Sequence, residues 1–184
     1  MSGLIRPFRG VTPRIDPTAF VAETAAVIGD VEIGPGASIW YGCVLRGDIN
    51  RIRVGRNTNI QDGTVVHVNH DRVGDGGMPT HIGDDVTIGH MALIHACTLE
   101  DRAFIGMGAV VMDGAVVESG AMVAAGALVT PRKVVKSGEL WAGRPARFLR
   151  KLREAEAAEG PYIAKHYAEL GAAYLADEVE GETS

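Results

Sequence analysis

Three histidines raise the first chemical question. His90 and His95 lie in IGHMALIHACT, residues 88–98, and His67 lies in TVVHVNH, residues 64–70. Both runs are otherwise made almost entirely of small and apolar residues. Imidazole nitrogens are the commonest protein ligands for metals. A zinc site that does chemistry takes about three protein ligands at about 2.0–2.1 Å and keeps one position open. A single histidine in such a run is ordinarily a core or surface residue. Whether these three make one site depends on where the backbone points each of them.

The backbone direction follows from an internal repeat. From Val21 the chain reads in sixes as VAETAA, VIGDVE, IGPGAS, IWYGCV and LRGDIN. After a slip of three residues come VGRNTN, IQDGTV and VHVNHD. After a longer insertion the register resumes as IGDDVT, IGHMAL and a shortened IHACT, then LEDRAF, IGMGAV, VMDGAV, VESGAM and VAAGAL. Nearly every block opens with Val, Ile or Leu. Six residues are too few for a helical hairpin and fit one short strand plus a corner. Three such sides close a coil of about eighteen residues, and coils stack at the strand spacing of about 4.8 Å. The first residue of each block points inward and a small fifth residue fills the interior. The second, third, fourth and sixth face mostly outward or sit at corners.

Labelling the three sides A, B and C, with the slip and the insertion each lengthening one side, puts Leu45, Val66 and Ile94 on A. Val54 and Ile82 open side B, and Ile60 and Ile88 open side C. His67 and His95 then stack as neighbours in one outward column of side A, with Arg46 one coil below His67. Asp62 and His90 share an outward column of side C, with Gln61 beside Asp62. Ligands on two faces of one narrow prism do not converge on one ion. A threefold ring in which side A of one chain meets side C of the next brings them together, which predicts a homotrimer with shared sites.

The rest of the composition is compatible with this. The chain has 184 residues, 46% hydrophobic and 22% charged, with 24 glycines and only 5% aromatics. That mixture suits a regular, tightly turning backbone. A net charge of −5 argues against a general nucleic-acid or anionic-membrane binder, and no apolar run reaches the eighteen or so residues of a membrane span. MSGLIRPFRGVTPRID lacks the apolar core of a secretory signal, and Cys43 and Cys97 do not make a disulfide framework. A cytoplasmic location is the expectation. After Thr130 the repeat fades. Pro161 suits a helix start, and Ile163, Tyr167, Leu170 and Tyr174 recur at helical spacing. The expected organisation is an N-terminal segment 1–20, a solenoid 21–145, a helical segment 146–178 of one or two helices packed along it, and loose residues 179–184.

At these residues the sequence resembles the γ-class carbonic anhydrases. The likeness runs through SIWYGCVLRGDINRIRVGRNTNIQDGTVVHVNH, IGDDVTIGHMALIHACTLEDRAFIGMGAVVMDGAVVESGAMVAAGALV and LWAGRPAR. It implies an all-β solenoid, the left-handed parallel β-helix of hexapeptide repeats, with a C-terminal α-helix. It also implies a homotrimer carrying Zn2+ at each subunit interface, held by His67 and His95 of one chain and His90 of its neighbour. Three imidazoles would also accept iron or cobalt. The implied reaction is reversible hydration of carbon dioxide to bicarbonate. Arg46 and Asp48 resemble the interface ion pair beside the metal, and Gln61 the residue that orients the attacking water. Asp62 sits next to it, or serves as the acceptor that fixes a histidine ring. Tyr167 resembles an active-site tyrosine of many relatives, with Tyr162 as its competitor.

Two departures bear on proton transfer. Archaeal members of the family carry an acidic residue after the RGD aspartate, where Ile49 stands here. They also carry a glutamate three residues after the first zinc histidine, where this chain has His70. His70 is either a replacement proton carrier or a residue of the polar loop leading to Thr80. His81 and His166 are read as surface residues. Two rival classes stand beside this reading: hexapeptide acyltransferases, which share the fold and need no metal triad, and weakly catalytic accessory proteins that keep the metal as an interface staple; CoA-thioester hydrolysis is a further alternative.

Overall fold

The structure, a computed structural model, describes residues 3–70 and 76–181. It is a parallel β-solenoid of about seven turns with one C-terminal helix. Side A pairs Leu45 with Val66, Val66 with Ile94, Ile94 with Val111 and Val111 with Val129. Side B runs Val54, Ile82, Leu99, Val117 and Val135. Side C runs Ile39, Ile60, Ile88, Ile105, Val123 and Trp141. The columns expected from the repeat are therefore the pairing register of the fold. Each coil satisfies its backbone groups on the coil above and below, so strands of two or three residues suffice.

The interior is a ladder of aliphatics: Leu45, Ile60, Val66, Ile88, Ile94 and Ile105 are fully buried. Alanines at the fifth position, Ala103, Ala109, Ala115, Ala121 and Ala127, fill the space between them. Where threonine takes that place, its hydroxyl finds a carbonyl: Thr58 donates to Gly83 O at 2.7 Å and Thr64 to Gly89 O at 3.2 Å. The slip of three residues is absorbed by one long strand, Val44–Val54, that rounds the corner from side A to side B. The insertion leaves as a loop after Val68, closed at its neck by an antiparallel bridge between Asn69 and Met78. Cys43 and Cys97 are free and buried. Burial pushes each thiol up to about 12.

Both ends differ from expectation. The expected N-terminal segment contributes strands to the solenoid within its described residues, 3–20: Leu4–Arg6 pairs in parallel with Ala26–Ile28, and Arg14–Ile15 with Glu32–Ile33. Residues 146–178 are not all helical: Arg147–Lys151 forms a strand antiparallel to Glu139–Ala142. The helix runs from Glu154 to Gly181 with Pro161 inside it, and residues 182–184 lie outside the described ones. Glu156 explains the earlier start. Its carboxylate accepts the backbone N–H of Arg153 at 2.9 Å and closes a bidentate pair with Arg150, the reach-back half of a capping box. Pro161 removes one helical hydrogen bond, and Ala157, whose carbonyl it frees, is exposed.

The helix lies along side C. Phe20 and Trp40 pack with Tyr41, Tyr167, Leu170 and Leu175, and Trp40 meets Tyr167 edge-on with centroids 5.3 Å apart. Gly171 permits the close approach, since a Cβ there would lie 3.2 Å from Phe20 Cβ. This cover explains why several outward positions of side C, Ser38, Asn59, Gln61 and Thr87, are buried. Among the described residues no helix is long and apolar enough to cross a membrane.

Candidate metal centre

His67 and His95 stand directly opposite each other on adjacent coils. His67 Nδ1 lies 3.3 Å from His95 Nε2. Each ring is pinned at its other nitrogen: His67 Nε2 is 3.0 Å from Asp48 Oδ1, and His95 Nδ1 is 2.6 Å from Asp113 Oδ1. The chain of contacts extends at both ends. Arg46 Nη1 donates to Asp48 Oδ2 at 2.5 Å, and Asn69 Nδ2 donates to Asp113 Oδ2 at 2.7 Å. Burial would raise the Asp48 carboxyl, but hydrogen bonds from His67 and Arg46 outweigh it and hold it below the usual range. Asp113 is likewise lowered despite burial, by His95 and Asn69. Burial holds His67 below its ordinary value, against the pull of Asp48.

Two ionised carboxylates therefore fix the tautomers. Each outer nitrogen carries the proton that its carboxylate accepts, so each inner nitrogen presents a lone pair. Two lone pairs facing each other are reconciled by a shared proton or by a bound cation between them. Nitrogens bound at about 2.0–2.1 Å to one tetrahedral ion stand about 3.3–3.4 Å apart, which is the separation found. The donor set fits a divalent ion, with Asp48 and Asp113 placed as carboxylates that would orient the two imidazoles.

His90 belongs to another face. Its Nδ1 is 2.8 Å from Asp62 Oδ2, on a pair that is 42% and 44% exposed, which leaves Nε2 turned away from the carboxylate. Among the described residues no group of three His, Cys, Asp or Glu side chains within one chain is placed to hold a metal. Between His90 and His95 the chain rounds the corner from side C to side A. That edge is apolar and open, with Met91 71%, Met107 58%, Leu93 41% and Val65 39% exposed.

Gln61 is 6% exposed and its amide is oriented by neighbours. Asn59 Nδ2 donates to Thr87 Oγ1 at 3.0 Å, so Asn59 Oδ1 is left to accept from Gln61 Nε2 at 3.1 Å. Tyr167 is half-buried against Trp40. Burial, and then the charge of Asp62, push its hydroxyl above the usual value. Tyr162, the competitor, is 68% exposed and stacks on His166 instead. His70 is exposed at the neck of the loop, and Ile49, after Asp48, is 42% exposed. Sequence reading missed Asp113, Asn69 and Asn59. Asp113 had a detectable signal, because Ile94 pairs with Val111 and Asp113 lies one residue past the position that stacks on His95.

The sequence pattern described as the hexapeptide repeat of succinyl-transferase matches residues 97–131. The chain is 38% identical over 173 residues to a carbonic anhydrase of Geobacillus kaustophilus, covering 94% of this chain and 92% of that one. The chain belongs to the γ-carbonic anhydrase family. Within the family it is also 54% identical over 159 residues to gamma carbonic anhydrase 2, mitochondrial, of Arabidopsis thaliana, covering 86% of this chain. It spans 57% of that plant relative's length. Among solved structures it superposes on a hexapeptide transferase family protein from Anaplasma phagocytophilum. The TM-score is 0.87 and the identity 54%, with 93% of this chain and 98% of the other covered.

Proposed function

We propose that the protein is a homotrimeric, zinc-dependent carbonic anhydrase that hydrates carbon dioxide reversibly at sites shared between subunits. His67 and His95 of one chain and His90 of its neighbour would hold the ion. The observation that carries this reading is the 3.3 Å approach of two tautomer-fixed histidine nitrogens, with an aspartate behind each ring. The open apolar edge between His90 and His95 supports burial against another copy of the chain, since exposed Met and Leu clusters of this kind mark interfaces.

A bound divalent ion supplies Lewis acidity that makes water nucleophilic near neutral pH. The chain's own residues do the rest. Asp48, Asp113 and Asp62 hold the three rings in the tautomers that keep the binding nitrogens free. Arg46 neutralises Asp48 and keeps it ionised. Gln61, fixed by Asn59, orients the attacking water through its carbonyl oxygen, and Tyr167 closes the neighbouring wall. His70 is the exposed group through which the product proton leaves, in place of the acidic residues other members use.

Metal analysis of anaerobically purified protein, followed by stopped-flow hydration of carbon dioxide, tests the reading. One ion per chain with hydratase activity that disappears on chelation is the expected result. Metal-free protein that transfers an acyl group from a CoA thioester would overturn it.

A further inference from the structure

The net charge of −5 conceals a segregation. Residues 130–153, the last coil and the strand laid over it, hold eight of the eighteen Lys and Arg and one acidic residue, Glu139. That end of the solenoid is therefore +7, and the rest of the chain −12. Lys136 pairs with Glu118, Lys151 with Glu139, and Arg150 and Arg153 share Glu156. Among the described residues Arg132, Lys133, Arg144 and Arg147 are exposed and have no carboxylate partner.

Apolar side chains project from the same end. Val134–Val135 ends side B and Arg147–Lys151 ends side C, with no further coil to cover them. Phe148 stands opposite Trp141, and a bulge leaves Leu149 without a partner across the strand pair. Phe148 is 50% exposed and Leu149 59%. Projecting apolar groups ringed by cations mark an interaction surface. Nucleic acid would meet the cations but offers no apolar phase to a leucine. An anionic bilayer offers both, since Phe and Leu enter the acyl boundary while Lys and Arg stay at the head groups.

We propose that this end of the solenoid is a docking surface for an anionic lipid bilayer, with Phe148 and Leu149 entering it and Arg132, Lys133, Arg144 and Arg147 on its head groups. In a ring where side A of one chain meets side C of the next, the solenoid axes run parallel and three such ends share one face. That multiplication rests on the trimer proposed above, and the patch itself does not.

The probe is vesicles of phosphatidylcholine, alone or mixed in equal parts with phosphatidylserine, sedimented with the unaltered full chain. Binding should be more than about tenfold tighter to the mixed vesicles and weaken as salt is raised, because each cation near an anionic leaflet is worth about fivefold. Phe148→Ser combined with Leu149→Ser should weaken it about tenfold with an unchanged circular dichroism spectrum. Arg147→Glu and Lys165→Glu change the net charge equally. The first should weaken binding about tenfold, and the second, at an exposed site on the helix, should leave it within about twofold. No sedimentation with either vesicle, equal affinity for both, full binding by the Phe148 and Leu149 double variant, or equal losses in the two charge variants would each overturn the proposal. The vesicle comparison uses the unaltered protein, so it decides even if a variant fails to fold. Light scattering reads the oligomeric state separately, so a monomer that binds mixed vesicles would refute the trimer and leave this surface standing.

Discussion

Two lone pairs 3.3 Å apart, each backed by a carboxylate, make His67 and His95 unusual among the histidines of this chain. If Asp113 positions His95 for a metal, Asp113→Ala should reduce metal affinity about 10–100-fold. A competition titration with a chelating dye reads this directly, with oligomeric state unchanged. The same groups set the response of the metal-free protein to acid. His67, Asp48 and Asp113 all have folded values below their unfolded ones. In the interval between those values the unfolded chain binds more protons, so stability rises with pH there and is lost as pH falls. Metal-free protein should lose stability first as pH drops below the histidine's unfolded value of 6.5. It should lose more as pH drops below the carboxylates' 3.8. Thermal denaturation at a series of pH values checks this, and Asp113→Asn, which cannot titrate, should make the lower step shallower.

The strands that carry the site are only two or three residues long, and each depends on its column. His95 follows Ile94, which is fully buried between Val66 and Val111. Ile94→Ala should cost about 2–5 kcal/mol of stability, because a stacked coil cannot collapse freely into the void. Equilibrium denaturation would show it as a lower midpoint, and the metal site should be weakened along with it. The helix is a different case. Its aromatic contacts with Phe20 and Trp40 place Tyr167, rather than Tyr162, beside Gln61. Helical periodicity put Tyr167 on the apolar stripe and left Tyr162 off it, but what that stripe meets is decided by where the helix docks.

A shared site makes a prediction about the whole assembly that no single chain can satisfy. Mixed trimers of His67→Ala and His90→Ala chains should regain some intact metal sites, because the two lesions fall on opposite sides of each interface. Mixing His67→Ala with His95→Ala should regain none, since every chain then lacks one of the two side A ligands. Metal content per chain after subunit exchange distinguishes the mixtures, and equal recovery in both would overturn the pairing.

The hexapeptide register was readable in the sequence because each coil repeats one physical demand, an aliphatic residue at the core every sixth position. That single period assigned Leu45, Val66 and Ile94 to one column and stacked His67 on His95 before any coordinates. It failed where the demand weakens. Leu4–Arg6 and Arg14–Ile15 belong to the solenoid but lack a clear repeat, since strands at its end need to match only one neighbouring coil. The helix start moved from Pro161 to Glu154 because a side-chain cap by Glu156 has no periodic signature. Tertiary structure alone decided the site's electrostatics. Asp113 reaches His95 from the next coil and Asn59 holds Gln61 under the helix. Such contacts depend on side-chain reach across coils, which a repeat specifies by position but not by direction.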